Sequence, residues 1–359
     1  MDRKIKVMVV DDSALMRKII SDMINSQRDM EVVDIAKNGE ELLKKMEVNT
    51  PDVITLDVEM PIMSGITTLK YLKRIKSKVK VIMLSSLTKD GAEITMECLE
   101  NGAIDFICKP SGTISLNIAE VKEDLINKIR HASRISPFRK VVSLKKDEDP
   151  KDSIKKNFLS KKTKEEKKHN AKIKAVVIGA STGGPKALSN VIPALPKDLG
   201  VPVFVVQHMP IGFTRAFAER LNRTSNLKVV EAENNMIVEK NTVYIAKAGY
   251  HMEILNKTIK LMDTPTVWGV RPAVDRLFLT ASKCYGSSLL SVVLTGMGKD
   301  GAKGTIEVKN NGGHTMTEDV STCVIYGMPK AAFETNMVDE VLPLHHISSK
   351  IVKLVRGVE

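Results

Sequence analysis

Short apolar runs rich in β-branched residues recur along this chain, and each gives way to a segment with apolar residues at helical spacing. Residues 7–10, 32–35, 53–56, 81–84 and 104–107 read as strands. Residues 13–24, a segment starting near Gly39-Glu40, and residues 65–75, 91–102 and 114–129 read as the helices that follow them. Strand and helix in strict alternation imply a parallel sheet with helices on both faces, because parallel neighbours need a crossover connection. Such sheets bind ligands at the carboxyl ends of their strands. The rhythm loosens from about residue 127, where Ser136-Pro137 breaks the helical run, and restarts at Ile173.

The second series begins with a strand over residues 175–178 that stops at Gly179, and a helix resumes near Pro185, a residue suited to a first turn. Between them, Gly179-Ala180-Ser181-Thr182-Gly183 fits the G-x-S-x-G nucleophile elbow. Glycines permit the sharp turn that lifts a serine hydroxyl clear, and the helix N-terminus offers unpaired N–H groups to an oxyanion. The stretch is not a Walker A loop, since no Gly-Lys-Ser/Thr closes it, and it lacks G-x-G-x-x-G. Residues 201–206 form a strand ending at Gln207-His208, residues 213–221 a helix, and residues 229–259 a more β-like region with room for a hairpin or antiparallel extension. A helix over 273–284, a strand over 289–294 ending in Thr295-Gly-Met-Gly-Lys-Asp300-Gly301, a helix through Val308, a short strand near His314 and a helix over 327–335 complete the second core.

At 359 residues with 43% hydrophobic and 27% charged residues, the chain supports two soluble domains. No apolar run approaches the ~18 residues of a membrane span, and the N-terminus lacks a signal-peptide core. Four scattered cysteines without C-x-x-C spacing suit a reducing, cytoplasmic setting. The net charge of +12 points superficially to nucleic acid, but residues 139–174 hold 14 Lys/Arg against 6 Asp/Glu, so most of the excess sits in a solvated linker. Low aromatic content and the lack of a helix-turn-helix pattern argue further against a nucleic-acid-binding output. The expected organisation is a first domain over 1–125, a Lys-rich linker over 126–170 and a second domain over 171–359.

In the first domain the polar residues fall at strand ends: Asp11 and Asp12, Asp57, Ser85 and Ser86, and Lys109-Pro110. Three carboxylates from neighbouring strand ends suit an oxygen-liganded Mg²⁺, and a lysine with a hydroxyl can read a phosphoryl group. An Asp after a strand is commonly only a cap or turn residue; such polar residues at four strand ends together are harder to dismiss. The pattern resembles the receiver domain of two-component response regulators, with which Val-Asp11-Asp12-Ser, Leu-Asp57-Val-Glu-Met-Pro61, Met-Leu-Ser85-Ser86 and Cys-Lys109-Pro110 agree. The resemblance implies that Asp57 is the phosphoacceptor, that Asp11, Asp12, Asp57 and the Glu59 backbone carbonyl bind Mg²⁺, that Ser85 and Lys109 sense the phosphate, and that Lys109-Pro110 is cis.

In the second domain Ser181, His208 and Asp300 stand at three strand ends, and a serine nucleophile needs an imidazole base oriented by a carboxylate. Their order in the chain is no objection, since triads are recognised by geometry. His131 and His169 lie in or near the linker, while His251, His314, His345 and His346 have no serine motif beside them; Asp275 and Asp319 compete with Asp300 for the orienting role. This half resembles the chemotaxis protein-glutamate methylesterase family through Ile-Gly-Ala-Ser181-Thr-Gly-Gly-Pro, Gln-His208-Met-Pro, Arg271-Pro-Ala-Val-Asp275 and Leu-Thr-Gly-Met297-Gly-Lys-Asp300-Gly. The resemblance implies Ser181 as nucleophile, His208 as base, Asp300 as orienter, and Thr182 with the Met297 backbone in the oxyanion region.

The expected fold class is therefore α/β in two domains: a flavodoxin-like (βα)5 receiver, then a Rossmann-like, doubly wound, mostly parallel sheet with an antiparallel extension. The implied activity is a phosphorylation-activated serine hydrolase that demethylates glutamate γ-methyl esters on chemoreceptors and deamidates receptor glutamines. Methyl-accepting chemotaxis receptors are the implied substrates and a chemotaxis histidine kinase the implied phosphodonor, with Mg²⁺ in the receiver, no cofactor for the hydrolysis, no nucleic acid and no membrane insertion.

Overall fold

The computed structural model describes residues 3–86, 88–109, 118–134 and 171–357. The first domain runs β1 (Ile5–Val10), α1 (Ala14–Asn25), β2 (Met30–Ala36), α2 (Gly39–Met46), β3 (Val53–Asp57), α3 (Gly65–Arg74), β4 (Lys80–Ser85), α4 (Lys89–Glu100), β5 (Asp105–Cys108) and α5 (Ile118–Arg134). Its five strands are parallel in the order β2-β1-β3-β4-β5. The order reverses between β1 and β3, so Asp11 and Asp57 leave the sheet on either side of the switch-point crevice. Helix α5 continues to Arg134, beyond the boundary expected at residue 125. Pro110 and residues 135–170 lie outside the described residues, and with them the expected cis peptide at Lys109-Pro110 and most of the Lys-rich linker.

The second domain begins with β6 (Ala175–Ala180), α6 (Gly184–Val191), β7 (Val203–Gln207), α7 (Phe213–Thr224), β8 (Lys228–Glu231) and β9 (Thr242–Ile245). The antiparallel hairpin of β10 (His251–Leu255) and β11 (Thr258–Met262) follows, then α8 (Val274–Tyr285) and β12 (Leu289–Val293). The chain closes with α9 (Ala302–Asn310), β13 (His314–Glu318), α10 (Met328–Glu334), β14 (Glu340–Leu342) and α11 (Leu344–Arg356). Seven parallel strands lie in the order β14-β13-β12-β6-β7-β9-β8, and the hairpin forms a separate two-stranded sheet. The antiparallel extension expected from the sequence is this hairpin.

Alternation along β6 sorts its side chains between two cores. Val176 and Ile178 join Leu188, Val191, Phe217, Ile347 and Ile351 on one face, while Ala175 and Val177 join Met252, Val274, Leu277 and Phe278 on the other. Burial on both faces accounts for the continuous apolar runs of β6, β7 and β12, where every residue is buried.

The two domains start their helices differently. In the first, Ser13, Asn38, Ser64 and Thr88 each accept a backbone N–H from the first turn of the helix they precede. In the second, α6, α7 and α9 begin on Gly183, Gly212 and Gly301 in left-handed conformation with no side-chain cap of their own. Those bare N-termini cluster at the carboxyl ends of the central strands.

The first domain packs on the second through α4 and β5. Met96 and Leu99 of α4 face Pro185, Ser189 and Phe217 across a narrow crevice, and Phe106 of β5 stacks on Phe213 with ring centroids 4.6 Å apart. The Arg220 guanidinium forks onto both carboxylate oxygens of Glu100.

Candidate active site

Ala180 of β6 pairs with Gln207 of β7, so the next residues, Ser181 and His208, leave the sheet side by side. On the other side of β6, β12 leads through Thr295–Lys299 to Asp300. The order β12-β6-β7 thus brings the three residues expected at separate strand ends to one rim, with the nucleophile candidate in the centre. The elbow is pinned from both sides. Ser181 N–H donates to Thr295 O at 3.0 Å, and Gly184 N–H donates to Ser181 O at 2.7 Å. Buried Gln207 donates through Nε2 to Ser181 O at 2.9 Å and His208 O at 3.0 Å, tying the backbones of both residues together.

The geometry sets the imidazole tautomer. His208 Nε2 lies 2.8 Å from Asp300 Oδ2, so that nitrogen carries the proton and Nδ1 is left to act as a base. Asp300 is buried, and its other contacts are all backbone donors: Val274 N–H at 2.6 Å to Oδ2, with Asp275 N–H and Gly301 N–H at 2.9 Å to Oδ1. Acceptance of the first two N–H groups of α8 makes Asp300 the cap that this helix lacks. Asp275, the sequence-level competitor, does not reach the imidazole. Its Oδ1 accepts Gly301 N–H at 2.9 Å and Gly304 N–H at 2.7 Å, and its Oδ2 accepts Trp268 Nε1–H at 2.8 Å. Burial pushes the Asp275 carboxyl above its usual range and the nearby Asp300 charge adds to this, while the Trp268 and backbone donors oppose it. Asp319 also stays away, binding Ser321 N–H through Oδ1 at 2.8 Å.

Two N–H groups beside the serine are unspent. Among the described residues neither Thr182 N–H nor Met297 N–H makes a hydrogen bond, and Ser181 Oγ makes none either. Buried Thr295 holds the two loops together, its Oγ1 donating to Thr182 O at 3.1 Å and accepting Ile325 N–H at 2.9 Å. Gly296 permits this closeness, since a Cβ there would stand 2.8 Å from Ser181 Cβ and 2.4 Å from Met328 Sδ.

Of the remaining histidines, buried His251 accepts Ala273 N–H on Nδ1 at 3.1 Å and donates from Nε2 to Pro265 O at 3.0 Å. It thereby holds the residue just before the N–H groups that grip Asp300. His314 pairs with Glu340 at 2.9 Å, and the rings of His345 and His346 in α11 lie 4.2 Å apart, tilted at 50° to each other. Sequence reading gives Gln207, His251 and Thr295 no role in the site. Of these only Gln207 carried a signal, its place beside His208 at a strand end.

In the first domain, carboxylate oxygens of Asp11, Asp12 and Asp57 lie within 4.8 Å of one another, an all-oxygen donor set suited to a hard divalent cation. Lys109 Nζ sits 2.8 Å from both Asp11 Oδ2 and Asp57 Oδ2. Burial pushes Asp57 up to about 6, with Lys109 opposing and Asp11 adding to the rise. The Glu59 side chain is exposed and its N–H lies 3.4 Å from Asp57 Oδ1. Ser85 is buried, with its Oγ 2.6 Å from Thr95 Oγ1 in α4, the helix that meets the second domain.

Comparison with known proteins follows the same division. The CheB methylesterase family matches residues 176–351, and the response regulator receiver domain family matches residues 7–119. The protein-glutamate methylesterase/protein-glutamine glutaminase of Clostridium acetobutylicum is 51% identical across 99% of both chains. The protein of that name from Pyrococcus horikoshii is 45% identical across 99% of this chain and 95% of its own. The crystal structure of the Thermotoga maritima CheB methylesterase catalytic domain, 46% identical, is covered in full by 52% of this chain with a TM-score of 0.50.

Proposed function

Because this chain belongs to the CheB family of protein-glutamate methylesterases and carries a response-regulator receiver ahead of its catalytic domain, we propose that Ser181, His208 and Asp300 are its catalytic residues and Asp57 its switch. The activity is hydrolysis of glutamate γ-methyl esters and of glutamine side-chain amides in proteins, under control of receiver phosphorylation. One observation carries the residue assignment: the 2.8 Å contact of His208 Nε2 with Asp300, made where Ser181 emerges in register beside the imidazole.

The Ser181 hydroxyl gives its proton to His208 Nδ1 as Oγ attacks the γ-carboxyl carbon. Negative charge develops on the former carbonyl oxygen, and the unspent Thr182 and Met297 N–H groups are the donors that meet it. The imidazolium, stabilised by Asp300, returns the proton to the departing methoxide, which leaves as methanol; from a glutamine substrate the leaving group is ammonia. Water, deprotonated by His208, then cleaves the glutamyl–Ser181 ester and leaves a carboxylate on the substrate.

The donor set of Asp11, Asp12 and Asp57, with the Glu59 carbonyl beside it, fits Mg²⁺, which when bound offsets the charge of an incoming phosphoryl group. Lys109 already spans Asp11 and Asp57 and is placed to follow a new phosphoryl oxygen. Movement there reaches α4 through Lys109, whose N–H is bonded to Ser85 O at 2.8 Å, and through the Ser85–Thr95 pair. Helix α4 rests on α6 and α7, the helices that lead away from Ser181 and His208, so a shift of the receiver changes access to the site. The substrates are chemoreceptors, the phosphodonor is a chemotaxis histidine kinase, and the compartment is the cytoplasm, in keeping with four free cysteines.

The test is methanol release from methylated receptor membranes with and without Mg²⁺ and a small-molecule phosphodonor. Ser181→Ala should reduce the rate by at least ~10⁴-fold while leaving the fold intact. Asp57→Asn should keep the basal rate and lose the stimulation. Wild-type release by Ser181→Ala would overturn the assignment.

A further inference from the structure

The segment between β11 and α8 turns sharply at its midpoint. Val267 and Val270 exchange both backbone hydrogen bonds at 3.1 Å, and Trp268 and Gly269 between them have φ of 57° and 79°. Two-residue turns with both central residues at positive φ select Asn, Asp or Gly first, because a larger side chain is strained there. This chain places its only tryptophan at that position. The ring is not buried in return: Trp268 is 42% exposed. It is nonetheless fixed, with Nε1–H on Asp275 and the ammonium groups of Lys299 and Lys303 at 4.1 and 4.9 Å from the ring centroid. Neither lysine has an acidic partner among the described residues. The hydrogen bond to Asp275 needs only the indole N–H; the strained ring is otherwise left open with two lysines over its face, which is the mark of a surface that meets something else.

Its position says what it meets. Lys299 immediately precedes Asp300, and Asp275, which anchors the indole, shares the Gly301 N–H with Asp300. The same rim carries Ile211, 71% exposed and three residues beyond His208, which packs beside Gly249, whose N–H is bonded to Arg271 O at 3.1 Å. We propose that Trp268, Lys299 and Lys303 form a docking shelf for a carboxylate-bearing stretch of the substrate protein beside the glutamyl side chain under attack. The inference rests on the reading of Ser181 as the nucleophile in glutamyl hydrolysis. Charge complementarity carries it: each turnover leaves a carboxylate on the substrate, and two ammonium groups held against an aromatic face rather than an acidic neighbour stand ready for carboxylates. The rigid ring adds apolar contact at low entropic cost. The enzyme therefore favours segments whose neighbouring positions are already carboxylates, so that one hydrolysis promotes the next.

Because Trp268 is the sole tryptophan, its fluorescence reports occupancy directly. Full-length Ser181→Ala protein would be titrated with two tryptophan-free helical peptides bearing a central glutamyl methyl ester, one flanked by Glu and one by Gln. The Glu-flanked peptide should bind about fivefold or more tightly, with the preference shrinking as salt rises. Lys299→Glu/Lys303→Glu should erase that preference while leaving the affinity for the Gln-flanked peptide within about twofold. Equal affinity for the two peptides, or an unchanged preference in the double variant, would overturn the shelf. So would equally tight binding of an oligonucleotide, which would mark a general polyanion site, or an equal loss of affinity for both peptides in the double variant, which would mark a role in site geometry. Failure of the wild type to release methanol from any of these esters would count against the reading of Ser181 instead, and is separable because the titration needs no turnover.

Discussion

Asp275 and Asp300 cap each other's helices. Asp300, just before α9, accepts the first two N–H groups of α8; Asp275, in the first turn of α8, accepts Gly301 N–H and Gly304 N–H at the start of α9. Neither helix has a side-chain cap from its own N-cap residue. The exchange fixes the Asp300 carboxylate without a single side-chain donor other than His208, which leaves its charge directed at the imidazole.

Asp275→Asn tests this exchange. The amide keeps one carbonyl acceptor, but its NH₂ group must then face either Trp268 Nε1–H or the backbone donors. The expected cost is about 1–3 kcal/mol in denaturant unfolding, together with a fall in kcat of roughly 10–100-fold at nearly constant KM. Asp300→Asn should lower kcat further, by ~10⁴-fold, because the tautomer itself is lost. Full kcat in Asp275→Asn would show that Asp300 is positioned without it.

Gly296→Ala should disable the site with little effect elsewhere. The new Cβ would press on Met328 Sδ at 2.4 Å and on Ser181 N at 3.0 Å, so the elbow must move away from the Met297 loop. A shift of under an ångström between nucleophile and oxyanion donors costs on the order of 100-fold in kcat. Steady-state hydrolysis, with circular dichroism to confirm folding, decides it; wild-type kcat would rule out the close approach.

His251 supplies an acid limit. Burial holds its pKa below the ordinary 6.5, with Arg276 and Arg271 acting in the same direction and the Pro265 carbonyl and Glu253 opposing. The folded state thus binds the proton less readily than the unfolded chain, so the stabilisation is complete above about pH 6.5 and is lost as pH falls through the lowered folded value. Protonation of Nδ1 would also displace Ala273 N–H and loosen the start of α8. Unfolding midpoints between pH 7.5 and 5 should fall more steeply for wild type than for His251→Gln. Parallel curves would remove His251 as the source.

Glu100→Arg should uncouple the domains in part. It sets two guanidinium groups against each other at the contact of α4 with α7. The pair is partly exposed, so its loss is worth about 1 kcal/mol, and the unstimulated methylesterase rate should rise about two- to fivefold. The rate with phosphodonor should stay unchanged. An unstimulated rate at or below wild type would show that this contact does not restrain the enzyme.

Much of the architecture was legible because buried parallel strands announce themselves. The runs at β1, β3, β4, β6, β7 and β12 are mostly apolar and buried on both faces, and a polar residue stands at or just past the carboxyl end of each. That is why Asp57, Ser181 and His208 stood out. Helix α5 runs on to Arg134, past the helix end expected at residue 129, because its solvated face carries the same kinds of charged residues as the linker sequence after it. Trp268 was not legible, because its turn breaks the residue preferences by which turns are recognised.

What the amino-acid sequence determined by itself is periodicity: which segments are strands, which are helices, and which polar residues terminate them. Those properties depend on each residue and its near neighbours, so they survive reading in one dimension. The lateral order of the strands does not. Only the folded sheet sets β12 and β7 on either side of β6, and so brings Asp300, Ser181 and His208 to one rim from positions 92 residues apart along the chain for the His208–Asp300 pair alone. Only packing of α8 against α9 separates the roles of Asp275 and Asp300, two buried aspartates at helix starts that differ in which partner's N–H groups they meet.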